Sequence, residues 1–148
     1  MRKLLSTKYS AGTFNAAMLV LRLALGILMM HTGYYKLTHF DTLLHGKPGS
    51  LPCMPPSPPF MNFLGIGSSM SLALVIFAEF FCSMFLIIGL FTRFAAIPLI
   101  ITMCVALFKA HNADVFGAGQ TAALYLTGYI VLLFVGPGRV SVDSMIAK

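Results

Sequence analysis

Apolar positions in this chain gather into four long blocks, with the polar positions collected between them. The blocks cover residues 14–37, 69–91, 94–111 and 118–135. An apolar stretch of about 18 or more residues reads as a membrane-spanning helix. At about 1.5 Å rise per residue the second block gives roughly 34 Å, enough to cross with some tilt. The third is shorter, so it sits slightly submerged or the bilayer thins around it. Pro98 falls near its start, where a missing N–H costs least. Only Thr92–Arg93 separates the second block from the third, which predicts a tight antiparallel hairpin. The expected fold class is all-α: one integral membrane domain over residues 1–148, built as a four-helix bundle.

Between the first two blocks, residues 38–68 carry prolines at 48, 52, 55, 56, 58 and 59. Proline at that density forbids a regular helix or a central strand. An extended surface loop is expected, re-entering at 60–66. At the N-terminal end Arg2, Lys3 and Lys8 precede an apolar segment, as in a signal peptide. Arg22 interrupts that segment, it runs on to Leu37, and no A-x-A-like site follows, so it reads as a retained first span. Four spans put both termini on one side of the membrane. That side holds six basic residues (Arg2, Lys3, Lys8, Arg93, Arg139, Lys148) against three on the other (Lys36, Lys47, Lys109). The excess of Lys and Arg favours both termini in the cytoplasm and the Pro-rich loop outside.

Composition agrees with a bilayer setting. The chain is 58% hydrophobic and only 9% charged, where soluble domains carry about 25% charged residues. Its net charge of +6 comes from scattered basic residues rather than a clustered face, so nucleic acid is not an expected partner. The three cysteines, Cys53, Cys82 and Cys104, form no CxxC or CxxCH, which excludes a local haem-attachment or dithiol motif. The two inside spans read as small buried packers.

One residue does not fit a simple span. In LALVIFAEFFCSMFLIIGLF, residues 72–91, Glu79 sits near the middle, about 18 Å from the Phe91 end. An ionised acid there costs at least about 2.5–3.5 kcal/mol, so it must be protonated, paired or turned to a wet cavity. Arg22 in the first span and Lys109 toward the outer end of the third both have the reach to approach it. On the first span Arg22, Gly26, Met29, Gly33 and Lys36 are spaced 4, 3, 4 and 3, which places them on one stripe. Its glycines allow close helix approach. Thr102, Ala106 and Lys109 repeat the 4–3 spacing on the third span. Polar and small residues can therefore converge on one interior, serving either as a functional pocket or as an ion pair that only fixes packing. His31 and His111 both fall near the outer ends of their spans, although His31 lies about 180° from the Arg22 stripe. No metal site is expected from two histidines without a third ligand. His39, His45, Cys53, Met54 and Met61 in the loop match no ligand motif, and Tyr34, Tyr35 and Tyr125 read as belt residues near span ends.

The set Arg22…Gly26…His31-Thr-Gly33-Tyr-Tyr-Lys36 resembles the DoxX family of small four-span bacterial membrane proteins. So do Glu79 followed by Ile88-Gly89-Leu90-Phe91-Thr92-Arg93, Lys109-Ala-His111, and Gly136-Pro137-Gly138-Arg139-Val-Ser141-Val-Asp143. Members of that family, with the related DoxD proteins, are described as subunits of quinone-linked membrane oxidoreductases. The resemblance implies an accessory subunit of a quinone-linked redox complex in a bacterial cytoplasmic membrane, with quinone as the candidate cofactor. Quinol oxidation needs a group to accept a proton and a cation to steady the anion. Glu79, Lys109 and His111 suit the catalytic roles, and Arg22, His31 and Lys36 the cofactor-binding ones. The chain has no haem pair, flavin fingerprint or cluster cysteines, so any enzymatic role requires a redox partner. The long Pro-rich loop, residues 38–68, departs from the family pattern and implies a contact with other subunits of a membrane complex. The alternatives are a structural scaffold subunit and a small-molecule or proton carrier.

Overall fold

The computed structural model describes residues 10–45, 62 and 65–146. The expectations placed on Arg2, Lys3, Lys8, Lys47, Lys148, the proline cluster, Cys53, Met54 and Met61 lie outside the described residues. Those residues contain helices and no strand: α1 (Ala11–Thr38), α2 (Phe40–His45), α3 (Ser68–Ile88), α4 (Thr92–Ala110), α5 (Gln120–Val135) and α6 (Val142–Ile146). At 28, 21 and 19 residues, α1, α3 and α4 are each long and apolar enough to cross a membrane. Helix α5 is equally apolar but has 16 residues, about 24 Å of rise.

Helix α1 starts where Ser10, in extended conformation, accepts a hydrogen bond from the Thr13 amide at 3.1 Å, satisfying one of the donors a helix start leaves open. Its buried positions are Met18, Arg22, Gly26, Met29 and Gly33, the expected stripe shifted toward its N-terminal end. Helix α3 ends at Gly89, whose φ of 77° turns the chain left-handed without a Cβ clash. Two residues later Phe91 also has positive φ, so the hairpin turn begins before the Thr92–Arg93 pair that was expected to form it. Pro98 lies farther inside α4 than expected, and its ring leaves the Phe94 carbonyl without the usual donor. The first part of the expected outer loop is the short helix α2 rather than extended chain.

The four long helices lie side by side. α1 packs most extensively on α3 and α4 on α5, α3 also packs on α4, and α1 touches α5 more sparingly. Leu72, Leu86, Leu99, Tyr129 and Leu132 are fully enclosed between them. Outside, large apolar side chains stand open, with Phe134 77% and Phe94 73% exposed. Water would penalise such a surface, whereas hydrocarbon does not.

Both α3 and α4 contain a π-helical turn, at Phe77–Cys82 and Ala106–Ala110. Such a turn inserts one residue and swings everything beyond it around the helix; π turns often mark functional sites.

Candidate functional site

Glu79 sits in the π turn of α3, 2% exposed. Its Oε1 accepts a hydrogen bond from Lys36 Nζ at 2.5 Å, making an ion pair whose two side chains are 24% and 3% exposed for Lys36 and Glu79. Its Oε2 has no hydrogen-bond partner. The backbone explains how the pair meets. Gly33 brings α1 against this turn so closely that an added Cβ would lie 2.6 Å from the Phe80 amide nitrogen and 2.7 Å from the Glu79 carbonyl carbon. Helical side chains lean toward the N-terminal turn, so Lys36, three residues on, reaches back over Gly33 to the carboxylate.

Beside the pair is a cavity of about 270 Å³, whose polar lining is Lys36, Glu79, Thr102 and His111. The π turn of α4 decides which of the expected residues face it. Thr102 and Ala106 keep the predicted stripe, but the wider turn delays its continuation by about one residue. Ala110 and His111 therefore line the cavity, while Lys109 is exposed outside it. The Thr102 hydroxyl donates to the Pro98 carbonyl at 2.9 Å. Tyr125 and Tyr129 stack with centroids 6.0 Å apart, Tyr129 fully buried and Tyr125 packed against the buried core. The Tyr129 hydroxyl is buried and without a partner. Tyr125 is thus part of the interior, not of a belt at a span end; its i, i+4 spacing to Tyr129 in an apolar helix was the available signal.

Arg22 was expected to reach Glu79 and does not. Fourteen residues before Lys36, it sits about 21 Å away along α1. There its Nη1 donates to the Pro137 carbonyl and its Nη2 to the Val140 carbonyl, each at 2.7 Å. Around it the chain segments lock together. The Asp143 carboxylate accepts from the Phe91 and Thr92 amides at 2.7 and 2.9 Å, capping the start of α4. The Asp143 amide in turn donates to the Gly89 carbonyl at 3.0 Å. Gly89 is obligatory here, since a Cβ would lie 2.7 Å from both Arg22 Nη1 and Ser141 Cβ. Asn15 Oδ1 accepts from the Arg139 amide at 3.1 Å. Asn15, Ser141 and Asp143 were not singled out as partners from sequence, because their contacts span long separations.

Of the predicted site residues, then, Glu79, Lys36 and His111 come together. Arg22 belongs to the separate cluster, and His31 and Lys109 are exposed. Among the described residues no three of His, Cys, Asp and Glu group as a metal ion would require.

The family model described as DoxX matches residues 17–112, which hold the Lys36–Glu79 pair, Thr102 and His111. An uncharacterized membrane protein of Mycobacterium tuberculosis is similar at 27% identity, over 89% of this chain and 82% of the relative. No solved structure matches.

Proposed function

The chain belongs to the DoxX family of integral membrane proteins, and from that premise we propose that it is an accessory subunit of a quinone-linked redox complex. The carrying observation is Glu79: a carboxylate midway along α3 with one oxygen held by Lys36 and the other buried without a partner. Such an atom in a low-dielectric interior is costly unless a ligand or water donates to it. The residues fit a quinone head: an orphaned acceptor, a lysine cation, and a histidine at the cavity lining. A bound quinol would supply two electrons and two protons. Glu79 accepts the two protons one at a time at Oε2, Lys36 keeps the carboxylate charged and oriented before each transfer, and His111 passes each proton on toward the open side so that Glu79 is free for the second. A redox partner receives the electrons.

In this reading all four long helices span a bacterial cytoplasmic membrane as a four-helix bundle, with both termini in the cytoplasm, and residues 38–68 meet neighbouring subunits outside. The reading is tested by purifying the protein from its native membrane and assaying bound quinone and quinol-dependent turnover. Glu79→Gln is expected to lose both. Wild-type protein free of quinone, together with unchanged turnover in the variant, would refute it.

A further inference from the structure

A second cavity, about 340 Å³, runs along the seam between α3 and α4. Its walls come from one stripe on each helix, at Ser71, Leu74, Val75 and Ala78 on α3 and at Pro98, Ile101, Thr102 and Val105 on α4. Both stripes advance by 3, 1 and 3 residues, the spacing of a single helical face, so the groove follows the two helices for about two turns. No charged residue lines it. Leu74, Phe77 and Ile101 along it are 54%, 50% and 53% exposed, so it opens sideways, toward where lipid would be. Val75, Thr102 and Val105 line both this groove and the Lys36–Glu79–His111 cavity. An apolar trough open to the membrane therefore adjoins a polar chamber that ends in an unpartnered, buried carboxylate oxygen.

We propose that the two cavities are one binding site for a two-part amphiphile, with a hydrogen-bonding ring in the polar chamber and a prenyl chain in the α3–α4 groove. This rests on the quinone reading above and adds to it a lateral entry route and a requirement for the tail. The joint volume falls within the range of about 300–1,000 Å³ common for small-ligand sites. The occupants' chemistries match the walls: a polar head beside Lys36, Glu79 and His111, hydrocarbon beside Leu74, Ile101 and Val105. A single-headed apolar lipid would leave Glu79 Oε2 unsatisfied, whereas a tail-less ring would leave the groove to bulk lipid.

The chain contains no tryptophan, so Phe77→Trp places a sole reporter at the groove, and Phe134→Trp on α5 a control at another exposed position. If Phe77→Trp fails to fold, Leu74→Trp serves in its place. Each variant is reconstituted in phosphatidylcholine nanodiscs and titrated with a polyprenyl benzoquinone and with the same ring lacking its tail. The tailed quinone is expected to quench the groove reporter saturably, at a concentration at least tenfold below that quenching the control. The tail-less ring should bind at least tenfold more weakly, and Glu79→Gln should weaken both. Equal potency of the two compounds at the groove reporter would overturn the tail site while leaving the polar-head reading intact. Saturable quenching by the tailed compound that Glu79→Gln leaves unchanged would overturn the joined site and the quinone reading with it. Brominated phosphatidylcholine is the last arm. If its chains quench the groove reporter and the tailed quinone does not displace them, the groove holds bulk lipid and the proposal fails.

Discussion

Gly33→Ala is the sharpest test of how Glu79 is held. The new methyl would meet the Phe80 amide nitrogen at 2.6 Å, the Glu79 carbonyl carbon at 2.7 Å and Glu79 Cβ at 3.0 Å. Unstrained contacts lie at about 3.5–4.0 Å, so α1 and the π turn must part by roughly 1 Å. The opposing atoms are mostly backbone within a helix, which cannot rotate aside. Overpacking of this kind costs about 1–3 kcal/mol, against a helix-propensity gain of up to about 1 kcal/mol on replacing glycine. Gly26→Ala supplies an internal control on the same helix and face. Its methyl would meet Ile87 Cγ1 at 2.6 Å and the Ser83 carbonyl oxygen at 3.3 Å; Ile87 is half-buried and can turn outward. The propensity gain is shared, so the difference between the variants isolates the backbone contact, with Gly33→Ala less stable by about 1–2 kcal/mol. Unfolding in mixed micelles with rising dodecyl sulfate fraction, followed by far-UV circular dichroism, measures both. Equal stabilities, or a Gly33→Ala protein more stable than wild type, would refute the close approach of α1 to the Glu79 turn.

Two other outcomes are expected. Lys36→Met leaves Glu79 without its cation and should destabilise by about 1–3 kcal/mol, below the figure for a fully buried pair because Lys36 is part-exposed; adding Glu79→Met should recover most of the loss, and additive losses in the same unfolding assay would contradict the pairing. Asp143→Ala removes the acceptor for the Phe91 and Thr92 amides and should cost about 0.5–2 kcal/mol, with faster amide exchange at the start of α4; unchanged exchange there would exclude the cap.

The apolar blocks announced the long helices because burial in lipid demands continuous apolar length, and the sequence carries that openly. The α1 seam was legible too, since Arg22, Gly26, Met29 and Gly33 repeat at helical spacing. The partner of Glu79 was harder to read. From sequence, Arg22 and Lys109 were the candidates and Lys36 was not named as the partner; what removes the first two comes from two facts with no local signature. One is the π turn of α4, which carries Lys109 off the cavity. The other is the carbonyl cradle at Pro137 and Val140 that takes Arg22 instead. A period of 3.6 assumes a regular helix, so it misplaces side chains wherever the helix widens.

The cap at the head of α4 also sets an order of events during synthesis. The amides of Phe91 and Thr92 wait for a carboxylate translated about fifty residues later, an interval of about 3–10 s at 5–20 residues per second. Arg22 waits longer still, its acceptors arriving 115 and 118 residues downstream. Nascent α3 and α4 must therefore enter the bilayer with one junction open to water or to an insertion chaperone, and it is clasped shut only once residues 137–143 have been made.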